Sequence, residues 1–196
     1  QSALDLAVSL AEEAVAKGAE FITTPEYCGG LKTQGPAFTP PSAPEESHPV
    51  LNGLRTFAKN KKKFFLIGSI AINGPDNKIL NRSFVIDDKG NIISRYDKIH
   101  LFDVNLSERR SYRESASVHG GNKAVICKTP FAMMGQTICY DLRFPNLYRE
   151  LSQSGAEILF VPAAFTQKTG QAHWHVLNRA RAIENGAFVV APCAIG

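Results

Sequence analysis

Apolar residues recur at helical spacing over Ala3–Lys17, with Leu6, Leu10 and Ala14 on one face and Gly18 as a stop. Phe21–Thr24 predicts a short strand that runs directly into Pro25-Glu26. Tyr27–His48 is rich in Gly, Pro and Ser and predicts a long loop, a kind of segment that tends to be functional or mobile. Pro49–Asn60 predicts a second helix, carried on Val50, Leu54, Phe57 and Ala58. Phe64–Ile72, Leu80–Ile86 and Asn91–Tyr96 then predict three successive strands, joined by turns at Gly74–Asn77 and Asp87–Gly90. With no helix between them, they imply antiparallel pairing.

Leu106–Ser117 reads as polar and irregular, and Lys123–Lys128 with Ala132–Cys139 as another strand pair. Within the latter, MMGQTICYDLRFP (133–145) is apolar in its first half and turns abruptly polar at Tyr140, Asp141 and Arg143. Pro145 suits the first turn of a helix, because its missing N–H is an unpaired donor there anyway. That helix continues over Asn146–Ser154 with Leu147 and Leu151 on one stripe. A strand at Glu157–Val161, a small-residue loop to Gly170, a helix at Ala172–Glu184 and a buried strand at Ala187–Ala191 complete the pattern. Helices alternating with strands, apart from one antiparallel run, predict an α/β fold.

At 196 residues the chain fits one large domain, or one and a part, with room for a real core. The net charge of +4 is mild. The basic residues are scattered apart from Lys61-Lys62-Lys63 and Arg109-Arg110, runs short enough to be solvated faces, so neither nucleic acid nor a membrane is implied as a partner. No secretory signal and no apolar run of spanning length is present. The cysteines at 28, 127, 139 and 193 form no CxxC pair. They read as reduced thiols of a cytoplasmic protein. His173 and His175 would point apart on a helix, so no metal site is expected.

Three residues sit where a predicted strand ends, the place where α/β sheets gather their ligands: Glu26, Lys98 and Cys139. Taken alone, each has an ordinary reading: a loop carboxylate, a surface lysine, a core cysteine. Taken together they form a set with a definite use. A cysteine attacks as thiolate, which its free pKa of about 8.5 leaves scarce at neutral pH, so a carboxylate that takes the proton helps. Attack on an amide or nitrile carbon builds negative charge that an ammonium and a backbone N–H can face. A nucleophile, a base and a cation are therefore what thiol-dependent cleavage of a C–N bond requires.

At these same positions the sequence resembles the nitrilase, or carbon–nitrogen hydrolase, superfamily. TTPEY around Glu26, RYDKIHLFD around Lys98 and ICYDLRFP around Cys139 match the three segments in order. RES (113–115), GAEILFVPAAF (155–165) and TGQAHWHVLNRARAIEN (169–185) extend the likeness over nearly the whole chain. Within the superfamily it is most similar to the small amidases near deaminated glutathione amidase and omega-amidase. The resemblance implies an αββα four-layer sandwich of mixed sheets flanked by helices, forming one domain over residues 1–196. Relative to the family pattern, a strand before Ala3 and the strands and arm after Gly196 are missing, so the domain reads as incomplete at both ends. It further implies Glu26 as base, Lys98 as electrostatic stabiliser, Cys139 as nucleophile, Glu114 as positioner of the lysine and the Tyr140 N–H as part of an oxyanion hole. Arg143 reads as an ion-pair partner of Asp141 or as a hold for a carboxylate-bearing substrate. His173 is placed near the pocket, and Trp174 either near it or in helix packing. The implied reaction is hydrolysis of a small amide through a thioester, without metal or cofactor, in a homodimer or higher homo-oligomer. Nitrile hydrolysis by the same residues, and an inactive member serving as a binding module, are the alternatives. Wide separation of Glu26 and Lys98 from Cys139 would favour the last.

Overall fold

The computed structural model describes residues 2–34, 37–107 and 110–194; Arg109 of the basic pair and Gly196 lie outside them. In chain order the elements are α1 (Ala3–Ala16), β1 (Phe21–Thr23), β2 (Thr33–Gln34), β3 (Ala37–Phe38), β4 (Ser42–Ala43), α2 (Pro49–Lys61), β5 (Phe64–Asn73), β6 (Ile79–Ile86) and β7 (Ile92–Asp97). They continue with β8 (Asp103–Ser107), β9 (Arg110–Arg113), β10 (Val125–Lys128), β11 (Met133–Gln136), α3 (Pro145–Gln153), β12 (Ile158–Phe160), α4 (Gln167–Asn185) and β13 (Phe188–Val190).

Two sheets stack between two helical layers. In the first, β5, β6 and β7 pair antiparallel, while β1 and β4 both lie parallel to β5, at its start and its end. The second runs β10-β11-β12-β13, antiparallel at β10/β11 and parallel thereafter, with α3 and α4 as the crossovers. Leu66, Val85, Cys127, Met134 and Phe160 form the dry layer between the sheets. β5 is buried on both faces, which is why its sequence reads as an apolar run broken only at Gly68 and Ser69 before its last residue. The helices α1 and α2 cover the outer face of the first sheet, through Ala11, Leu51, Leu54 and Phe57 against Phe65, Ile67 and Phe84. On the other side α3 and α4 cover the second sheet, with Leu147, Tyr148 and Leu151 against Leu159 and Val161. Helix starts follow the local chemistry: Ser2 and Asp5 cap α1 reciprocally, and His48 accepts the Leu51 N–H ahead of Pro49 in α2.

Away from the segment around Cys139, the fold departs from the sequence reading at five places. First, α1 turns Leu4, Ala7, Val8, Ala11 and Val15 inward, while Leu6 and Leu10 stand 50% and 56% exposed beside the free edge of β1. The helix carries two apolar stripes, and periodicity alone does not say which one packs. Second, the loop over residues 27–48 contains the β2–β3 hairpin and the β4 pairing. Third, the stretch read as irregular over 106–117 contains β9, paired with β8. Fourth, α4 begins at Gln167, so Lys168 to Gln171 are helical rather than loop. Fifth, β13 is not a buried strand. It is the sheet edge, and Phe188 is 77% exposed.

Candidate active site

A bulge in β5 between Ile67 and Ile70 fastens the chain leaving β1. Gly68 N–H donates to Thr24 Oγ1 at 3.0 Å, Tyr27 N–H to Ser69 Oγ at 2.9 Å, and Cys28 N–H to Ser69 O at 3.0 Å. Glu26 is thereby turned inward and is only 5% exposed. Lys98 is the first residue past β7 and is 2% exposed. Its Nζ lies 2.9 Å from Glu26 Oε1 and 2.9 Å from Glu114 Oε2. Glu114, fully buried in a tight turn after β9, also accepts from Phe102 N–H at 2.6 Å and Tyr27 OH at 3.3 Å. Ala164 N–H donates to Glu26 Oε2 at 2.9 Å.

The strand before Cys139 ends at Gln136, earlier than the sequence suggested, and extended residues carry the chain on to a turn over Cys139–Arg143. The Cys139 N–H is held by Pro162 O at 2.9 Å, and its φ is 46°, a left-handed value few side-chain-bearing residues adopt. Such strained backbone clusters where a side chain must be aimed. Asp141, fully buried, stabilises the turn. Its Oδ2 accepts Ile138 N–H at 2.9 Å and Tyr96 OH at 2.7 Å, and its Oδ1 accepts His100 N–H at 3.0 Å and lies 2.7 Å from His100 Nδ1. The His100 ring stacks on Phe144, with centroids 3.6 Å apart. The segment carrying Lys98 and the turn carrying Cys139 are thus tied through one carboxylate.

Glu26, Lys98 and Cys139 meet on one side of a cavity of about 180 Å³. Leu31, Phe38, Phe102, Tyr112, Tyr140 and Phe165 supply much of its wall, with the polar Thr166 and Thr169 from the start of α4. Burial pushes the Glu26 carboxyl up, but the Lys98 charge and hydrogen bonds from Lys98, Cys139 and Ala164 outweigh it and hold the group below the ordinary 4.5. Burial opposes the charge on Lys98, yet Glu114 and Glu26 raise its pKa well above the usual value. The Cys139 thiol is pushed well up by burial and by the Glu26 charge, against the pull of Lys98. The resting arrangement is therefore a protonated thiol sharing a cavity with a carboxylate and an ammonium.

Arg143 and His173 touch each other, Arg143 Nη2 to His173 Nδ1 at 3.0 Å, and neither lines the cavity. The Arg143 guanidinium lies 5.7 Å from the ring centroid of Phe165, which does. The ion pair expected between Arg143 and Asp141 is not formed: Asp141 is buried and turned to Tyr96 and His100, while the arginine points outward. Trp174 packs on Phe165, centroids 5.0 Å apart. Two buried groups were missed in the sequence. Asn81, in β6, touches all of Glu26, Lys98 and Glu114. Asp141 was noted only as a partner for Arg143. An Asn inside an apolar strand was the available signal, since strands disfavour it.

The sequence profile described as carbon–nitrogen hydrolase matches residues 1–196. A deaminated glutathione amidase of Synechocystis sp. is 40% identical over 201 residues, an alignment covering 98% of this chain and 72% of that protein. Among solved structures, the C. elegans NitFhit protein superposes with a TM-score of 0.86 at 28% identity, over 97% of this chain and 47% of that one. Saccharomyces cerevisiae Nit3, a nitrilase-superfamily member, gives 0.82 at 27% identity, over 97% and 68%.

Proposed function

We propose, from the premise that this chain belongs to the carbon–nitrogen hydrolase family, that it cleaves the amide C–N bond of a small carboxylate-bearing substrate. The observation that carries this reading is the convergence on one aromatic cavity: Lys98 Nζ lies 2.9 Å from Glu26 Oε1, and Cys139 lines the same cavity beside them. Glu26 takes the thiol proton as sulfur attacks the carbonyl carbon. The carbonyl oxygen becomes an oxyanion facing the Lys98 ammonium and the Tyr140 N–H. As the C–N bond breaks, Glu26 returns the proton to the departing amine, leaving a thioester. Glu26 then accepts a proton from a water that attacks the thioester, and the released thiolate regains it. Glu114 keeps Lys98 charged and in place throughout.

The name of the Synechocystis relative supports the substrate class, since deaminated glutathione is an amide that carries free carboxylates. Arg143, beside Phe165 at the cavity's flank, is the cation suited to hold such a carboxylate, with His173 bracing it. The four free thiols support a cytoplasmic setting. Ile183, 78% exposed on α4, and Phe188 beyond it on the edge strand support a homodimer, which light scattering would test.

The test of the reaction is release of ammonia or amine from carboxylate-bearing amides, with Cys139→Ala and iodoacetamide-treated protein as controls. A mass increment on Cys139 equal to the acyl group is expected. Turnover that survives loss of that thiol would defeat the mechanism.

A further inference from the structure

Asn81 is the one residue hydrogen-bonded at once to Glu26, Lys98 and Glu114 among the described residues. Its backbone carbonyl accepts the Lys98 N–H at 3.0 Å. Its side-chain Nδ2 donates to Glu26 Oε1 at 2.9 Å and to Glu114 Oε1 at 3.2 Å. Asn81 is fully buried, at the third residue of β6.

We infer that Asn81 is a positioning residue for this site, a neutral donor that holds the base carboxylate in its ionised, thiol-facing orientation. Two buried carboxylates share one ammonium here. The excess negative charge has to be met by dipoles, and Asn81 supplies a donor common to both. Its orientation is functional rather than conveniently packed, because Asn81 Oδ1 is buried without a hydrogen-bond partner among the described residues. An orphaned buried acceptor is costly and rare. Flipping the amide would aim that oxygen at two carboxylate oxygens, and this repulsion keeps Nδ2 where it is at the cost of the unpartnered Oδ1. The charged and titratable groups facing this cluster are Glu26, Glu114, Lys98, Tyr27 and Cys139.

The inference rests on the proposed role of Glu26 as base, and its test does not require a known substrate. The rate of Cys139 alkylation by iodoacetamide, followed by mass spectrometry of the Cys139 peptide, is measured against pH in wild type, Asn81→Leu, Glu26→Gln and the double variant. Losing one hydrogen bond to a charged acceptor is expected to move the acid limb of the wild-type profile up by about one pH unit, roughly a tenfold loss of rate below it. In the Glu26→Gln background the Asn81 substitution is expected to move the profile by less than half as much. An unmoved limb in folded Asn81→Leu protein, or an equal shift without Glu26, overturns the inference. Should Asn81→Leu fail to fold, Asn81→Ala is read by the same two criteria. Absence of amide hydrolysis by the wild type would defeat the proposed reaction while leaving this thiol readout intact.

Discussion

A single methyl group at Gly68 tests whether the bulge in β5 sets the geometry of the site. A Cβ there would fall 2.0 Å from Thr24 O, 2.5 Å from Pro25 O and 2.6 Å from Pro162 Cβ. All three neighbours are consequential: Thr24 and Pro25 lead into Glu26, and the Pro162 carbonyl holds the Cys139 N–H. To reach ordinary contact at 3.4 Å, the Thr24 carbonyl has to retreat by about 1.4 Å, and it is backbone rather than a flexible side-chain end. Overpacking of this kind costs about 1–3 kcal/mol. For a chain of this length that lowers Tm by about 2–12 °C. A misplacement of about 1 Å at a reacting group costs on the order of a hundredfold in rate. Gly68→Ala is therefore expected to lose far more activity than stability. Thermal unfolding by circular dichroism and kcat for amide hydrolysis, measured on one preparation at a temperature below both transitions, provide the comparison. Gly53→Ala is the control. The new Cβ there would meet Leu4 side-chain atoms at 2.6–3.2 Å, which can move, and alanine favours the α2 helix. Full kcat in Gly68→Ala protein with a lowered Tm would show that the contact is packing alone and that Glu26 is held by something else.

Cys139→Ala should abolish turnover and acyl-adduct formation, with Tm changed little, as read by mass spectrometry and calorimetry. The Glu26 carboxyl is raised by burial but held below 4.5 by Lys98, so kcat/KM should stay level down to about pH 4.5 and fall only as pH drops through that lowered value. The stability this group contributes follows the same direction, full above the unfolded value near 4.5 and lost as pH falls through the folded one, which urea midpoints at pH 3–7 would register. Asp141→Ala leaves the Tyr96 hydroxyl and His100 without their partner and frees the Cys139 turn. A stability loss of about 2–4 kcal/mol by urea titration, with kcat reduced more than KM is raised, is the expected outcome. Arg143→Leu should raise KM for carboxylate-bearing amides about tenfold and leave neutral amides unaffected, since the guanidinium stands apart from the reacting groups.

Most of the framework was legible in the sequence because hydrophobic spacing and the site coincide. β5 announces itself by a long apolar run interrupted at Gly68 and Ser69, and each of the three proposed catalytic residues follows a strand in the chain. What stayed hidden has a common physical origin. The β2–β3 and β8–β9 hairpins are short and polar, and they exist because Phe38, Phe102 and Tyr112 pack on one another around the cavity, a long-range cause that local patterning cannot carry. The orientation of α1 is set by which stripe meets α2. The exposure of β13 follows from its place at the edge of the sheet among the described residues rather than from its own composition. Asp141 looks ordinary as a letter and Asn81 stands out only as a polar residue in an apolar strand, and the partners that explain them lie 45 and 55 positions away.

The covered ammonium–carboxylate pair has a practical consequence for how the protein should respond to its medium. Mobile ions attenuate attraction between charges only where they can approach within their own atmosphere, about 8 Å deep at physiological concentration. Lys98 and Glu26 are 2.9 Å apart beneath protein, with 2% and 4% of their side chains open to water. Brine that erases the surface pairing of Lys61 with Glu12, at 40% and 54% open, should find no purchase on them. Chloride-rich buffers can then be used to suppress nonspecific adhesion of this basic polypeptide during assay without unpairing these two covered groups.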